Sequence, residues 1–154
     1  MVNLKINGQA VSVPEGYTVL QAAREAGIDI PTLCYLKDVS QTGSCRMCVV
    51  EIVGARALQA ACVYPVAEGI EVLTHSPKVK KARKATLELL LSNHDRKCLT
   101  CTRNQKCELQ ALCDELGITD IPYEGVRNEY EIDDLSPSIV RDNTKCILCR
   151  RCVS

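Results

Sequence analysis

Ten of the eleven cysteines in this 154-residue sequence, with one of its two histidines, fall into three spaced groups that could bind metal. The first is Cys34, Cys45, Cys48 and Cys62, spaced C-x10-C-x2-C-x13-C. Iron and zinc both accept four thiolates in a tetrahedral arrangement, so ligand count alone does not choose between them. The layout is more informative. A long loop that brings one cysteine to a C-x2-C pair, with the fourth beyond the next strand, wraps an object larger than one ion. Thr42-Gly43-Ser44 lets the backbone approach closely, and its amides could hydrogen-bond to inorganic sulfide. A binuclear iron-sulfur cluster is the best fit, with structural zinc or ordinary thiols as the alternatives; the spacing departs from the plant-type C-x4-C-x2-C pattern but keeps its architecture.

The second group is His94, Cys98, Cys101 and Cys107, spaced H-x3-C-x2-C-x5-C. A histidine on an apolar helical stripe is ordinarily a satisfied core residue. Three cysteines within the next thirteen residues need a fourth donor, however, and His94 continues the stripe of Leu87, Leu90 and Leu91. A [4Fe-4S] cluster with one imidazole ligand is the best reading. Neutral nitrogen in place of thiolate removes a negative charge, which raises the reduction potential. The third group, Cys146, Cys149 and Cys152, opens like the bacterial ferredoxin run C-x2-C-x2-C-x3-C-P. A further [4Fe-4S] cluster there needs a fourth ligand that this run lacks. Cys113 is left over and reads as a buried, inert thiol on the stripe Leu109, Leu112, Leu116; His75 has no evident role.

Other chemistry is missing. The eight glycines form neither G-x-G-x-x-G nor a P-loop, and there is no G-x-S-x-G or H-E-x-x-H, so the sequence carries no catalytic site of its own. Nineteen basic and nineteen acidic residues cancel, which disfavours nucleic acid as a partner. No apolar run is long enough to span a bilayer, and Met1-Val2-Asn3-Leu4-Lys5-Ile6 is not a signal peptide, so a cytoplasmic location is expected. The odd cysteine count and the tight pairs argue against a disulfide scaffold. With no Trp, no Phe and five Tyr, a core built on large rings is excluded. Each cluster would replace side-chain volume and cross-link a segment too short to bury much of its own. Two rivals belong to other classes: a zinc-stabilised interaction module, and a complete small reductase, which the lack of a nucleotide motif disfavours.

These residues must be positioned by a small set of elements. Asn7-Gly8 between alternating segments predicts a hairpin over residues 3–13. Thr18 with Gln21 forms a capping box that opens a helix stopping at Gly27. After a loop from Cys34 to Cys48, strands are expected at Val49–Val53, around Leu58–Ala61 and at Ile70–Leu73. Ser76-Pro77 starts a helix running to about Ser92, whose basic run of Lys78, Lys80, Lys81, Arg83 and Lys84 reads as a solvated face rather than a docking patch. A second helix is expected from Gln105 to Leu116, stopped by Gly117. The acidic stretch Asp114 to Asp134 reads as a connector, and Ser138–Arg141 as a short strand. The fold class is α+β, divided into residues 1–75, 76–117, a connector 118–144, and 145–154.

The cysteine map and the residues between it resemble the N-terminal electron-input region shared by [FeFe]-hydrogenases, the NADH-linked formate dehydrogenase alpha subunit and the large iron-sulfur subunit of complex I. The phrases that carry the resemblance span essentially the whole chain. They are Ile30-Pro31-Thr32-Leu33-Cys34-Tyr35, Gly43-Ser44-Cys45-Arg46-Met47-Cys48-Val49-Val50-Glu51, Ser92-Asn93-His94, Cys107-Glu108-Leu109-Gln110, and Ile139-Val140-Arg141-Asp142 through Cys152. The resemblance implies a β-grasp [2Fe-2S] ferredoxin-like domain, a small mostly helical [4Fe-4S] domain with one histidine and three cysteine ligands, and the start of a two-cluster ferredoxin-like domain. It implies the ligand sets Cys34, Cys45, Cys48, Cys62 and His94, Cys98, Cys101, Cys107, with Cys146, Cys149 and Cys152 as an incomplete third. The implied function is electron relay between an NADH/flavin or ferredoxin partner and a catalytic centre. Flavin-bearing, NADH-oxidising and [2Fe-2S] subunits would be its partners. Arg103-Asn104-Gln105-Lys106-Cys107, where the other branches usually place Gly-Glu before the cysteine, is most similar to the NADH-linked hydrogenase branch, as is Ser136–Asp142. Its hydrogen-activating domain would lie beyond Ser154.

Overall fold

The computed structural model describes residues 1–123 and 125–153. Glu124, in the acidic connector, and Ser154, at the end of the last segment, lie outside the described residues. The hairpin forms as expected: β1 (Val2–Ile6) pairs antiparallel with β2 (Gln9–Val13), from Val2 opposite Val13 to Ile6 opposite Gln9. Asn7 and Gly8 take φ of 51° and 82°, the consecutive left-handed pair that a type I′ turn requires. Helix α1 (Val19–Glu25) carries the capping box, with Gln21 N–H donating to Thr18 Oγ1 and Thr18 N–H to Gln21 Oε1. It buries Val19, Leu20, Ala22 and Ala23 against the sheet.

β3 (Val49–Ile52), β4 (Gln59–Ala60) and β5 (Glu71–Leu73) complete a five-stranded mixed sheet of order β2-β1-β5-β3-β4, in which β1 and β5 run parallel. The strand expected around Leu58–Ala61 is only two residues long. The carbonyl of Ala60 accepts from Val63 and Tyr64 N–H, turning the chain, and the Ala61 carbonyl is taken by Leu20 N–H. That turn presents Cys62 inward.

α2 (Pro77–Ser92) begins where expected, with Ser76 Oγ accepting from Val79 N–H while its hydroxyl donates to Glu51 on β3. Its buried stripe is Val79, Arg83, Leu87 and Leu91, each four residues from the next. The solvated-face reading therefore holds for Lys78, Lys80, Lys81 and Lys84 but fails for Arg83, which is 3% exposed. α3 (Glu108–Glu115) starts three residues later than expected. Gln105 sits at a left-handed φ of 62° and its N–H donates to Gln110 Oε1, while Cys107 is extended and caps the helix. Ser138–Arg141 is not a strand. Only Arg141 pairs, with Asp133, and the intervening apolar side chains Ile139 and Val140 are exposed.

Two hydrophobic cores result. One lies between the sheet and α1, built on Leu4, Ile6, Leu20, Ile30, Val50 and Val72. The other joins Leu33 and Met47 of the cysteine loop to Leu87 and Leu91 of α2 and Leu109 and Leu112 of α3. Ile118 and Ile121 of the connector and Ile147 of the last segment pack on its edge.

Candidate metal centres

Cys34 and Cys45 belong to the second core, Cys48 and Cys62 to the first, so the four thiols meet where the two cores adjoin. All four are free and at most 5% exposed. The loop that gathers them is closed by reciprocal bonds between Leu36 and Ser40, both at 2.8 Å, and turns at Gly43, whose φ of 63° no side chain adopts easily. A Cβ on Gly43 would stand 3.4 Å from a Val63 methyl. Backbone amides face the sulfurs: Cys45 N–H donates to Cys34 Sγ and Met47 N–H to Cys45 Sγ, both at 3.5 Å.

The electrostatics of the thiols differ. A hydrogen bond from the Cys62 thiol brings the Cys48 pKa down to about 6 in spite of burial, while the same bond pushes Cys62 up. Burial raises Cys45. Arg83 reaches this site from α2, its Nη2 donating to the Val49 carbonyl at 2.9 Å. Buried thiols free of disulfides, with amides aimed at sulfur, suit a sulfide-bridged iron pair.

The second group assembles where α2 ends. Asn93 caps the helix, and His94 N–H donates to Leu91 O at 3.3 Å, carrying the turn onward and the imidazole inward. A 3-10 turn at Cys98–Thr100 follows, then Cys101 and the α3 cap Cys107. His94, Cys98, Cys101 and Cys107 line one cavity of about 110 Å3, floored by Leu91 and Leu109. That is well below the roughly 300–1,000 Å3 of organic-ligand clefts, and suits a compact inorganic group. His94 Nδ1 is buried with no hydrogen-bond partner among the described residues, so it is free to take a group from the cavity. Arg103 N–H donates to Cys101 Sγ at 3.5 Å. Cys113 lines the same cavity, only partly buried, its thiol donating to the Leu109 carbonyl at 3.1 Å; burial raises its pKa.

The third group is more open. Cys146 and Cys152 are exposed, and Cys149 packs on the second core. Leu148 N–H donates to Cys146 Sγ at 3.4 Å, repeating the i-to-i+2 bond seen at Cys45 and Cys101. Left-handed non-glycine residues occur inside all three groups, at Arg46, Gln105, Leu148 and Arg150. Asp95 N–H to Thr144 O, 2.8 Å, ties the second group to this segment. Among the described residues no His, Cys, Asp or Glu set converges on a single-ion site. Two residues beyond the ligand candidates join the sites, Arg83 and Arg151. The four-residue spacing of Arg83 with Val79, Leu87 and Leu91 was the available signal for the first; nothing in the sequence pointed to the second.

Against known families, residues 1–77 match the 2Fe-2S iron-sulfur cluster binding domain. The chain belongs to that family. Beyond the 2Fe-2S domain, residues 83–122 match the NADH-ubiquinone oxidoreductase-G iron-sulfur binding region. This 2Fe-2S family member is 46% identical to the NADP-reducing hydrogenase subunit HndD of Solidesulfovibrio fructosivorans, over 99% of the chain and 27% of that relative. It is 43% identical to the NADPH-Fe(3+) oxidoreductase subunit alpha of Geobacter sulfurreducens, over 99% of the chain and 18% of the relative. It is also 38% identical to the NADH-ubiquinone oxidoreductase 75 kDa subunit of Reclinomonas americana, over 99% and 22%. The chain thus spans about a quarter or less of the curated relatives it matches. A solved NAD+-reducing [NiFe]-hydrogenase in the H2-reduced state superimposes with a TM-score of 0.92 at 34% identity, covering 99% of this chain and 64% of that one. The expected resemblance to the hydrogenase and complex I subunits holds. Among the described residues no helix is long and apolar enough to cross a membrane.

Proposed function

We propose that this chain is the electron-relay region of an NAD(P)-linked oxidoreductase subunit, holding one [2Fe-2S] cluster on Cys34, Cys45, Cys48 and Cys62 and one [4Fe-4S] cluster on His94, Cys98, Cys101 and Cys107. The observation that carries the reading is the cavity lined by one unpartnered imidazole and three cysteines beside a buried four-thiol site. When bound, the clusters supply one-electron chemistry. The protein's part is to hold iron through thiolate and imidazole, to donate backbone N–H to sulfur, and to keep water from the first site. These are the levers by which a protein sets a cluster's potential.

The segments follow the sites: a β-grasp domain over residues 1–75, the histidine-ligated domain over 76–117, a connector over 118–144, and the opening of a ferredoxin-like domain over 145–154. Cys146, Cys149 and Cys152 would hold a further [4Fe-4S] cluster once a fourth ligand is supplied. The Arg103–Cys107 phrase favours the [FeFe]-hydrogenase branch with flavin-bearing, NADH-oxidising partner subunits in the cytoplasm, and the downstream catalytic domain would receive or deliver the electrons.

Anaerobic reconstitution with ferrous iron and sulfide tests the relay. The expected outcome is a brown protein with acid-labile sulfide and two distinguishable EPR signals on reduction, one binuclear and one tetranuclear. A colourless protein that takes up zinc and no sulfide would overturn it. Hydrogen-dependent reduction of NAD(P)+ by the intact multi-subunit protein, with iron and no nickel at its catalytic centre, tests the branch.

A further inference from the structure

We infer that Arg83 is the built-in countercharge of the first site, raising the reduction potential of a cluster held by Cys34, Cys45, Cys48 and Cys62. Arg83 is 3% exposed, on the inner stripe of α2. Among the described residues it has one hydrogen bond, Nη2 to the Val49 carbonyl at 2.9 Å, and its Nε is buried without a partner. Among the described residues no carboxylate stands at ion-pair distance from it. A buried cation in that state is costly, since transfer of an unpaired charge from water is among the largest penalties a fold can carry. Buried charges persist where an opposite charge answers them.

The answering group here is the thiolate set. Val49 directly follows Cys48, so the one hydrogen bond that orients the guanidinium also places it beside a ligand. Burial lowers the Arg83 pKa, and the charge that most opposes this is the Cys48 thiolate, ahead of Glu115 and Asp29. Four thiolates around a binuclear iron core carry net negative charge, and reduction adds one electron to one ferric iron with no bond made or broken and no proton moved. A fixed cation nearby favours that added charge, and net charge around a cluster is one of the terms that set its potential. Arg83 belongs to the segment that carries the second site, so this helix contributes charge to the site before it.

The inference rests on the ligand assignment for the first site, and the test separates the two. The full chain is reconstituted with iron and sulfide and titrated with dithionite and mediators under EPR. Arg83→Gln keeps an amide donor for the Val49 carbonyl and removes the charge, whereas Arg83→Lys keeps the charge. In Arg83→Gln the reduced-to-oxidised ratio of the binuclear signal at the wild-type midpoint should fall about tenfold, as for loss of a unit charge at about 10 Å in a protein-like dielectric. That fall corresponds to about 59 mV for one electron. Arg83→Lys should stay near wild type, and the tetranuclear signal serves as the internal reference. An unchanged midpoint in Arg83→Gln at equal iron and sulfide content overturns the inference, as does an equal shift in Arg83→Lys. Should Arg83→Gln fail to load the first cluster, loading retained by Arg83→Lys supports the countercharge, and loading lost in both assigns the residue to packing and overturns it. A wild-type chain with no binuclear signal would sink the ligand assignment instead.

Discussion

Arg151 donates from Nη2 to the carbonyl of Tyr35, 116 residues away, at 3.1 Å. Its Nη1 stands 3.3 Å from Glu108 Oε2. Tyr35 follows Cys34, Glu108 follows Cys107, and Arg151 lies between Cys149 and Cys152. One guanidinium therefore touches the neighbours of ligand candidates from all three groups. The Glu108 contact is largely exposed and contributes little. The bond to the carbonyl is charge-assisted and worth about 1.5–3 kcal/mol at most. In Arg151→Met, amide hydrogen exchange over residues 144–153 should accelerate about tenfold or more, with the sheet amides unchanged. Equal protection in the variant would mean that the segment is held without Arg151, by Ile147 and Cys149 packing and the Asp95–Thr144 bond.

The ligand role proposed for His94 predicts an asymmetric result. His94→Cys supplies a thiolate in the same cavity, so the tetranuclear signal should survive at a lower potential because the site gains one negative charge. His94→Leu should lose that cluster and leave the binuclear one. An identical potential in His94→Cys would show that the imidazole is not bound to iron.

Cys113 opens on the same cavity, and its replacement separates a spectator thiol from a ligand. With four donors in the proposed set, Cys113→Ser should retain full iron and sulfide content and an unchanged EPR line shape. Its stability should fall by about 1 kcal/mol at most, because serine keeps a donor for the Leu109 carbonyl and loses only the packing of the sulfur. Loss of the tetranuclear iron, about two thirds of the total for a binuclear and a tetranuclear cluster, would instead make Cys113 a ligand.

Glu68 gives an acid-side signature. Its carboxylate accepts from the Asn3 backbone N–H at 2.8 Å and from the Asn3 side-chain amide at 3.1 Å, and these bonds lower its pKa below the ordinary value of 4.5. A carboxylate whose folded pKa is depressed adds stability above its unfolded pKa and loses it as pH falls through the lowered value. The tie between the first strand and the turn before β5 should therefore begin to weaken as pH falls below the ordinary 4.5 and be lost once pH passes the lowered folded value. The Glu68 side-chain carbon resonance should titrate below a free glutamate, and Asn3→Ala should move the midpoint upward. A midpoint indifferent to Asn3→Ala would show that the side-chain amide bond is not formed in solution, since alanine keeps the backbone one.

Local chemistry was legible where one or two residues decide the backbone. Asn7-Gly8 predicts a left-handed pair and delivers it; Thr18 with Gln21, and Ser76-Pro77, set helix starts to the residue. The grouping of His94 with Cys98, Cys101 and Cys107 around one cavity was also readable, because all four lie within one short stretch of chain. Boundaries set by side-chain capture were not. The capture of Gln105 N–H by Gln110 delays α3, and a single pairing at Arg141 replaces a strand. Long-range sharing was invisible as well. A cation within a run of lysines reads as solvated until the helix is known to bury Val79 and Leu87 on either side of it, and the contact of Arg151 with Tyr35 has no local sequence signal.

The meeting of two cores at the first four thiols also governs what damage does. Oxygen that strips iron from the cluster proposed there would remove a cross-link between Cys34 and Cys45 in one core and Cys48 and Cys62 in the other. Because metal affinity at such a site is also folding free energy, the injury would not stay at the metal. The loop holding Leu33 and Met47 would loosen from Leu87 and Leu91, and the helix bearing Arg83 would lose its anion. Proteases that read the population of opened chains would then find the helical segment as vulnerable as the sheet. Oxidative wear at a single cofactor would mark the whole relay for turnover.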